Sequence, residues 1–95
     1  MAVKVMIKRR VPVGTEQLLV PLLKELRTLA WKQPGYISGE TYQRVDRPGV
    51  SLVVSMWQSE EDWEKWMSSE GRADIQQRID SLVKTETKYE VIPGK

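Results

Sequence analysis

Near its start the chain alternates: Val3, Val5 and Ile7 interleave with Lys4, Met6 and Lys8. A period of two puts the three branched residues on one face of a β-strand. Pro12 and Gly14 end it. The period then lengthens. Leu18, Leu19, Leu22, Leu23, Leu26, Leu29 and Ala30 recur at helical spacing and predict a broad apolar stripe. Thr15 is placed to cap this helix, and Glu16 falls in the first turn, where a negative charge meets the positive end of the helix dipole. Pro21 lies inside the stripe without the amide hydrogen that a helix interior needs, which predicts a kink or a delayed start. Gln33, Pro34 and Gly35 stop the helix.

Tyr36 to Asp46 is rich in strand formers, with Ile37, Thr41, Tyr42 and Val45. Gly39 interrupts it, which predicts a bulge or a close approach by another group. Arg47, Pro48 and Gly49 form a turn, Val50 to Trp57 returns as a second strand, and the pair reads as a hairpin. Ser59 with Asp62 resembles a capping box. Trp63, Trp66 and Met67 then share a helical face, Ser68, Ser69 and Gly71 weaken the helix, and Ile75, Ile79, Leu82 and Val83 resume it. A broken second helix is predicted. Lys84 to Ile92 is the closing strand, with Thr85, Thr87, Tyr89 and Val91 on one face, before Pro93 and Gly94 end it.

This order, βαββαβ, is the ferredoxin-like α+β plan. Right-handed crossovers place both helices on one face of a four-stranded antiparallel sheet. A chain of 95 residues suffices for a single domain, residues 1–95, with a thin core. On the third strand Leu52, Val54 and Met56 point one way, and Val53 and Trp57 the other, with only Ser51 and Ser55 between them. A sheet with one wet face alternates more cleanly than this. Apolar residues on both sides therefore predict a homodimer through the sheet face, with the side that meets the partner left open.

Composition narrows the chemistry. Apolar residues are 40% and charged residues 29%, an ordinary globular balance. The chain has neither cysteine nor histidine. Disulfides, thiolate sites, the commonest general base and the usual haem ligand are thereby excluded. No EF-hand spacing occurs, and no metal is expected. Net charge is +2, and the one basic cluster, Lys8, Arg9 and Arg10, reads as a solvated strand end. Without a basic-glycine-aromatic signature, nucleic acid is not an expected partner. No signal peptide or membrane-length apolar run is present, which predicts a cytoplasmic protein without membrane contact.

Two segments carry a family resemblance: Gln33 to Glu40 (QPGYISGE), and Ser55 to Trp66 (SMWQSEEDWEKW), where a tryptophan ends a strand and a serine-capped helix follows. Both resemble the antibiotic biosynthesis monooxygenase family, and the element order matches over nearly the whole chain. The resemblance implies a dimeric α+β barrel in which two sheets pack face to face. Members of this family include cofactor-independent oxygenases of polyketide anthrones and quinols, and haem-degrading enzymes. The haem degraders share an asparagine on the first strand, a tryptophan on the second helix and a haem-ligating histidine. Ile7, Trp66 and Gln76 fall at those positions, so only the tryptophan is matched.

The function implied is that of a cofactor-independent monooxygenase acting on a quinol-like or polyphenolic small molecule. Such an enzyme needs a dry pocket with aromatic walls and a few donors. Trp66, at the matched position, is the candidate catalytic residue. Trp57, Trp63, Tyr36, Tyr42, Tyr89 and Arg44 are the candidate substrate pocket, and no cofactor is expected. No general base stands out. The alternative reading is a non-catalytic small-molecule-binding or dimerisation module on the same fold.

Overall fold

The computed structural model describes residues 2–43, 46, 49–83 and 87–93. Seven elements follow one another: β1 (Val3–Arg10), α1 (Glu16–Trp31), β2 (Tyr36–Gln43), β3 (Val50–Trp57), α2 (Glu60–Met67), α3 (Glu70–Val83) and β4 (Lys88–Pro93). The strands form one antiparallel sheet in the order β2-β3-β1-β4. This is the ferredoxin-like plan, with the second helix divided at Ser68 and Ser69. Arg44, Val45, Arg47, Pro48, Lys84, Thr85 and Gly94, which the sequence assigns to strands and turns, lie outside the described residues.

Local chemistry explains the boundaries. Thr15 stands at the α1 N-cap but its side chain does not cap: the hydroxyl donates to the Pro12 carbonyl at 2.7 Å. The Glu16 carboxylate accepts from the Gly14 amide at 3.0 Å and fixes the turn before the helix. Helix α1 runs unbroken through Pro21, close enough to its start that one lost i→i−4 bond is tolerated. Leu18, expected in the apolar stripe, is exposed. At the start of α2, Ser59 accepts from the Asp62 amide at 3.1 Å, and its own hydroxyl donates to the Asp62 carboxylate at 2.9 Å. Asp62 packs over Gly35, which combines φ +86 with no room for a Cβ, so only glycine fits there.

The division between α2 and α3 is a built joint. Ser69 Oγ accepts from the Arg72 amide at 3.4 Å at the start of α3. The Arg72 side chain donates to the Met67 carbonyl at 3.3 Å, one of the acceptors left free at the end of α2.

Two apolar clusters form. Val5, Ile7, Ala30, Trp57, Trp63 and Trp66 gather between the sheet and the ends of α1 and α2. Leu19, Ile75, Ile79 and Val83 join α1 to α3, and the half-buried Leu26 and Leu29 touch both clusters.

The pairing register sorts the strands into two faces. Val53 stands beside Ile7 and Thr41, and Trp57 beside Val3 and Tyr36, on the side that carries the helices. The opposite side carries Leu52, Val54 and Met56 on β3, Met6 on β1, Tyr42 on β2 and Ile92 on β4. The side of β3 left without helices is therefore the Leu52–Val54–Met56 side, and Val53 faces the helices.

Candidate functional site

Between α1 and the helix-facing side of the sheet lies a cavity of about 300 Å³. Its sheet wall is Ile7 and Arg9 from β1, Tyr36, Gly39 and Thr41 from β2, and Val53, Ser55 and Trp57 from β3. Helix α1 lines it with Val20, Leu23, Lys24, Leu26, Arg27 and Ala30, and α2 closes one end with Trp63 and Trp66. The spacing of Trp63 and Trp66 puts both rings on the sheet-facing side of α2, since residues three apart are neighbours on a helix.

Trp57 is the hub of the aromatic end and is 1% exposed. Trp66 stacks on it with ring centroids 6.2 Å apart and planes 23° apart. Trp63 and Tyr36 meet Trp57 edge-on at 5.8 and 5.3 Å. The Trp57 indole N–H donates to Ser55 Oγ at 3.2 Å. Among the described residues neither the Trp63 nor the Trp66 indole N–H has an acceptor. At the rim, Arg27 Nη2 donates to Thr41 Oγ1 at 2.9 Å and bridges α1 to β2.

Four of the sequence candidates, Trp57, Trp63, Trp66 and Tyr36, therefore share one cavity. Tyr42 does not. Counting by twos from Tyr36 puts it on the same strand face, but the register slips between Tyr36 and Ser38, and the two tyrosines end on opposite sides of the sheet. Tyr42 is exposed and hydrogen-bonds the Glu40 carboxylate, which raises its pKa from the ordinary phenol value. Gly39 carries the other half of this geometry: the Tyr36 hydroxyl lies where a Cβ would be. Tyr89 also leaves the set. Its ring packs on Trp63 at 5.9 Å, but the cavity is not lined by it. Arg44 lies outside the described residues.

Behind Trp63 sits a buried polar network that sequence reasoning did not foresee. Gln76 Oε1 accepts from Arg9 Nη2 and from the Tyr89 hydroxyl, each at 3.2 Å. Gln76 Nε2 donates to Asp80 Oδ1 at 2.8 Å and Thr87 Oγ1 at 3.1 Å. The Tyr89 hydroxyl accepts from Arg72 Nη2 at 2.6 Å. Gln76, the residue that the family resemblance sets at the haem degraders' histidine position, has its amide engaged through both ends. It offers nothing to an iron.

Arg9 corrects the reading of the basic cluster. It is 4% exposed, not solvated, and it belongs to both the cavity wall and the network. The signal was available: Arg9 continues the parity of Val5 and Ile7, so the strand carries it to the same buried face. Ser55, Thr41 and Arg27 were also missed, because hydroxyls and surface cations carry no periodic signature of a cavity.

Among the described residues no cluster of three acidic, cysteine or histidine side chains could hold a metal ion, and no helix is long and apolar enough to cross a membrane.

Known proteins with this fold are numerous. A conserved protein from Methanosarcina mazei Go1 superposes with a TM-score of 0.91 at 22% identity, over 100% of this chain and 94% of that one. Rv0793 from Mycobacterium tuberculosis gives 0.87 at 16%, over 100% and 96%. SnoaB, a cofactor-independent oxygenase from Streptomyces nogalater, gives 0.86 at 11%, over 99% and 93%. These identities establish the shared fold. No curated protein sequence matches the chain. The sequence profile of antibiotic biosynthesis monooxygenases matches residues 2–78, most of the chain and every element that lines the cavity. The chain belongs to the antibiotic biosynthesis monooxygenase family.

Proposed function

We propose that the protein is a cofactor-independent monooxygenase whose substrate is a quinol-like or polyphenolic small molecule bound between α1 and the sheet. The observation that carries this reading is the aromatic end of the cavity, where Trp57, Trp63 and Trp66 pack on one another and line the space between α1 and the sheet. A flat, electron-rich ring system packs favourably against such walls. Family membership supports the same chemistry.

The reaction needs little from the protein. Loss of a proton from an anthrone-type methylene or a quinol leaves an electron-rich anion, which reduces oxygen. The carbon–oxygen bond then forms and water leaves, so a CH₂ group and O₂ become a carbonyl and H₂O. The Trp66 and Trp63 indole N–H groups, from residues that line the cavity, are the donors proposed for the oxygen on which negative charge gathers. No carboxylate lines the cavity, so the proton leaves to water.

That absence of a carboxylate base favours one other reading, a binding module without chemistry. Oxygen consumption separates the two. An oxygen electrode should record uptake with anthrones or quinols, one O₂ per substrate, above the rate without protein. Ligand binding with no such uptake across the panel would leave only the binding module.

The working unit proposed is a single domain, acting as a homodimer in the cytoplasm. Support for the dimer comes from the sheet face without helices, where Leu52, Val54, Met56 and Met6 form an apolar strip beside Tyr42 and Ile92. Lys4, Lys8, Glu40, Lys88 and Glu90 share that face and would form a mixed-charge margin.

A further inference from the structure

The cavity is apolar in its rings but not neutral. Three of its lining side chains are cationic, Arg9, Lys24 and Arg27, and none is acidic. Lys24 and Arg27 are exposed, so water and salt screen them. Arg9 is buried. A buried guanidinium is normally compensated by a carboxylate and by acceptors for its five donors. Among the described residues Arg9 has neither compensation in full. Its Nη2 donates to Gln76 Oε1, a neutral acceptor shared with Tyr89, and its Nε is buried without any partner. Asp80 acts on Arg9 through space, but it is exposed and takes its hydrogen bond from Gln76. A second buried cation, Arg72, opposes the first. Burial pulls the Arg9 pKa below the ordinary guanidinium value, with Tyr89 acting the other way.

Geometry gives this cation a place in the cavity. In the β1–β3 register Arg9 stands opposite Ser51, whereas Trp57 lies six residues away along β3 opposite Val3. From its place opposite Ser51 the Arg9 side chain runs to Gln76 Oε1 in the network behind Trp63, so guanidinium and aromatic walls both border the cavity, which fits a ligand that carries an acid group on flat rings.

We propose that the cavity takes an aromatic ligand bearing an acid group ionised at neutral pH, and that Arg9 binds this acid group. The missing negative charge of the Arg9 environment is then supplied by the ligand. This deepens the oxygenase reading and rests on it for the choice of cavity, narrowing the substrate class from polyphenols to polyphenolic acids.

The test is anaerobic calorimetric titration with 6-hydroxy-2-naphthoate and with its methyl ester, which has the same rings but no charge. A charge-assisted contact with a buried guanidinium should make the acid bind at least roughly tenfold more tightly. In Arg9→Gln that advantage should vanish while the ester still binds. Lys24 and Arg27 also line the cavity, so the wild-type ratio alone does not assign the preference to Arg9. Gln76→Glu gives a second route: a carboxylate beside Arg9 should remove the preference for the acid. Equal affinity for acid and ester, or no heat from either at millimolar concentration, overturns the proposal. Because oxygen is excluded, the outcomes separate: acid preference without later oxygen uptake sinks the oxygenase reading alone, and uptake from neutral quinols without acid preference sinks this proposal alone.

Discussion

Gln76 is a stringent place to test the structure, because one neutral side chain serves four partners. Replacing it by Met keeps the length of the side chain and removes every polar atom. Arg9 Nη2 loses its acceptor, the Tyr89 hydroxyl keeps only the bond from Arg72, and Thr87 Oγ1 loses a donor, all in buried or half-buried surroundings. Asp80 is exposed and turns to water. Leaving a buried polar group unpaired costs about 1–3 kcal/mol, with charged groups at the upper end. Arg9 and Tyr89 together account for roughly 2–5 kcal/mol of destabilisation. In a chain of this size that corresponds to a fall in Tm of about 10 °C or more. The assay is thermal unfolding by circular dichroism at fixed protomer concentration, because association couples to stability. Gln77→Met, one residue along on the exposed side of α3, is the control and should change Tm by no more than about 3 °C. A Gln76→Met variant melting within that margin of wild type would refute the network as a structural element.

Trp66→Phe keeps the stacked ring on Trp57 and deletes the indole N–H; oxygen uptake with an accepted substrate should fall roughly tenfold or more with the circular dichroism spectrum preserved. An unchanged rate removes Trp66 from the chemistry and leaves it as cavity wall. Val54→Glu puts a carboxylate in the apolar strip of the helix-free sheet face, at a cost on the order of several kcal/mol if that face is covered by a second copy. Light scattering after size-exclusion chromatography at micromolar concentration should then show the wild type at twice the chain mass and Val54→Glu as a monomer; a monomeric wild type defeats the dimer. Haemin titration should give no histidine-type Soret band, and reductant should yield no bilin-like product; haem turnover would show that the engaged Gln76 amide misdescribes the site.

Much of the fold was legible because its elements have clean periods. Val3, Val5 and Ile7 fixed the buried face of β1, and Ile75, Ile79 and Val83 that of α3, through spacing alone. The interruption at Ser68 and Ser69 was visible as a cluster of poor helix formers. What failed was local geometry that breaks a period. A slipped register between Tyr36 and Ser38 is one residue long, yet it reverses the side on which Tyr36 emerges relative to Tyr42. Counting by twos joined residues that the strand separates. The aromatic part of the site was readable because tryptophans are conspicuous and their helical spacing is regular. The polar part was not, since Gln76, Tyr89 and Thr87 come from α3, β4 and the residue before β4, and meet only in the folded chain. Arg9 was hidden for another reason: flanked by Lys8 and Arg10, it looked like surface, although strand parity alone sends it inward.

The same burial links stability to function in this cavity. Close packing would have brought α1 down onto the sheet, yet Leu23 and Leu26 face open space and remain half-buried. Empty apolar volume forfeits dispersion contacts, and an undercompensated guanidinium at its edge adds a desolvation penalty. Neither feature helps the chain fold. Both are tolerated because the surrounding frame is rigid: Trp57 is held among three aromatic rings, Gly35 locks the α1–β2 turn against Asp62, and Arg72 ties the α2–α3 joint to Tyr89. The costs are located where one occupant would relieve both, with rings filling the aromatic end and a negative group meeting Arg9. A cavity left only by imperfect packing would have no reason to set an undercompensated charge in its wall. For the oxygenase chemistry proposed, which asks for neither metal nor nucleophile, this arrangement of shape and charge is the specificity that the side chains themselves would supply.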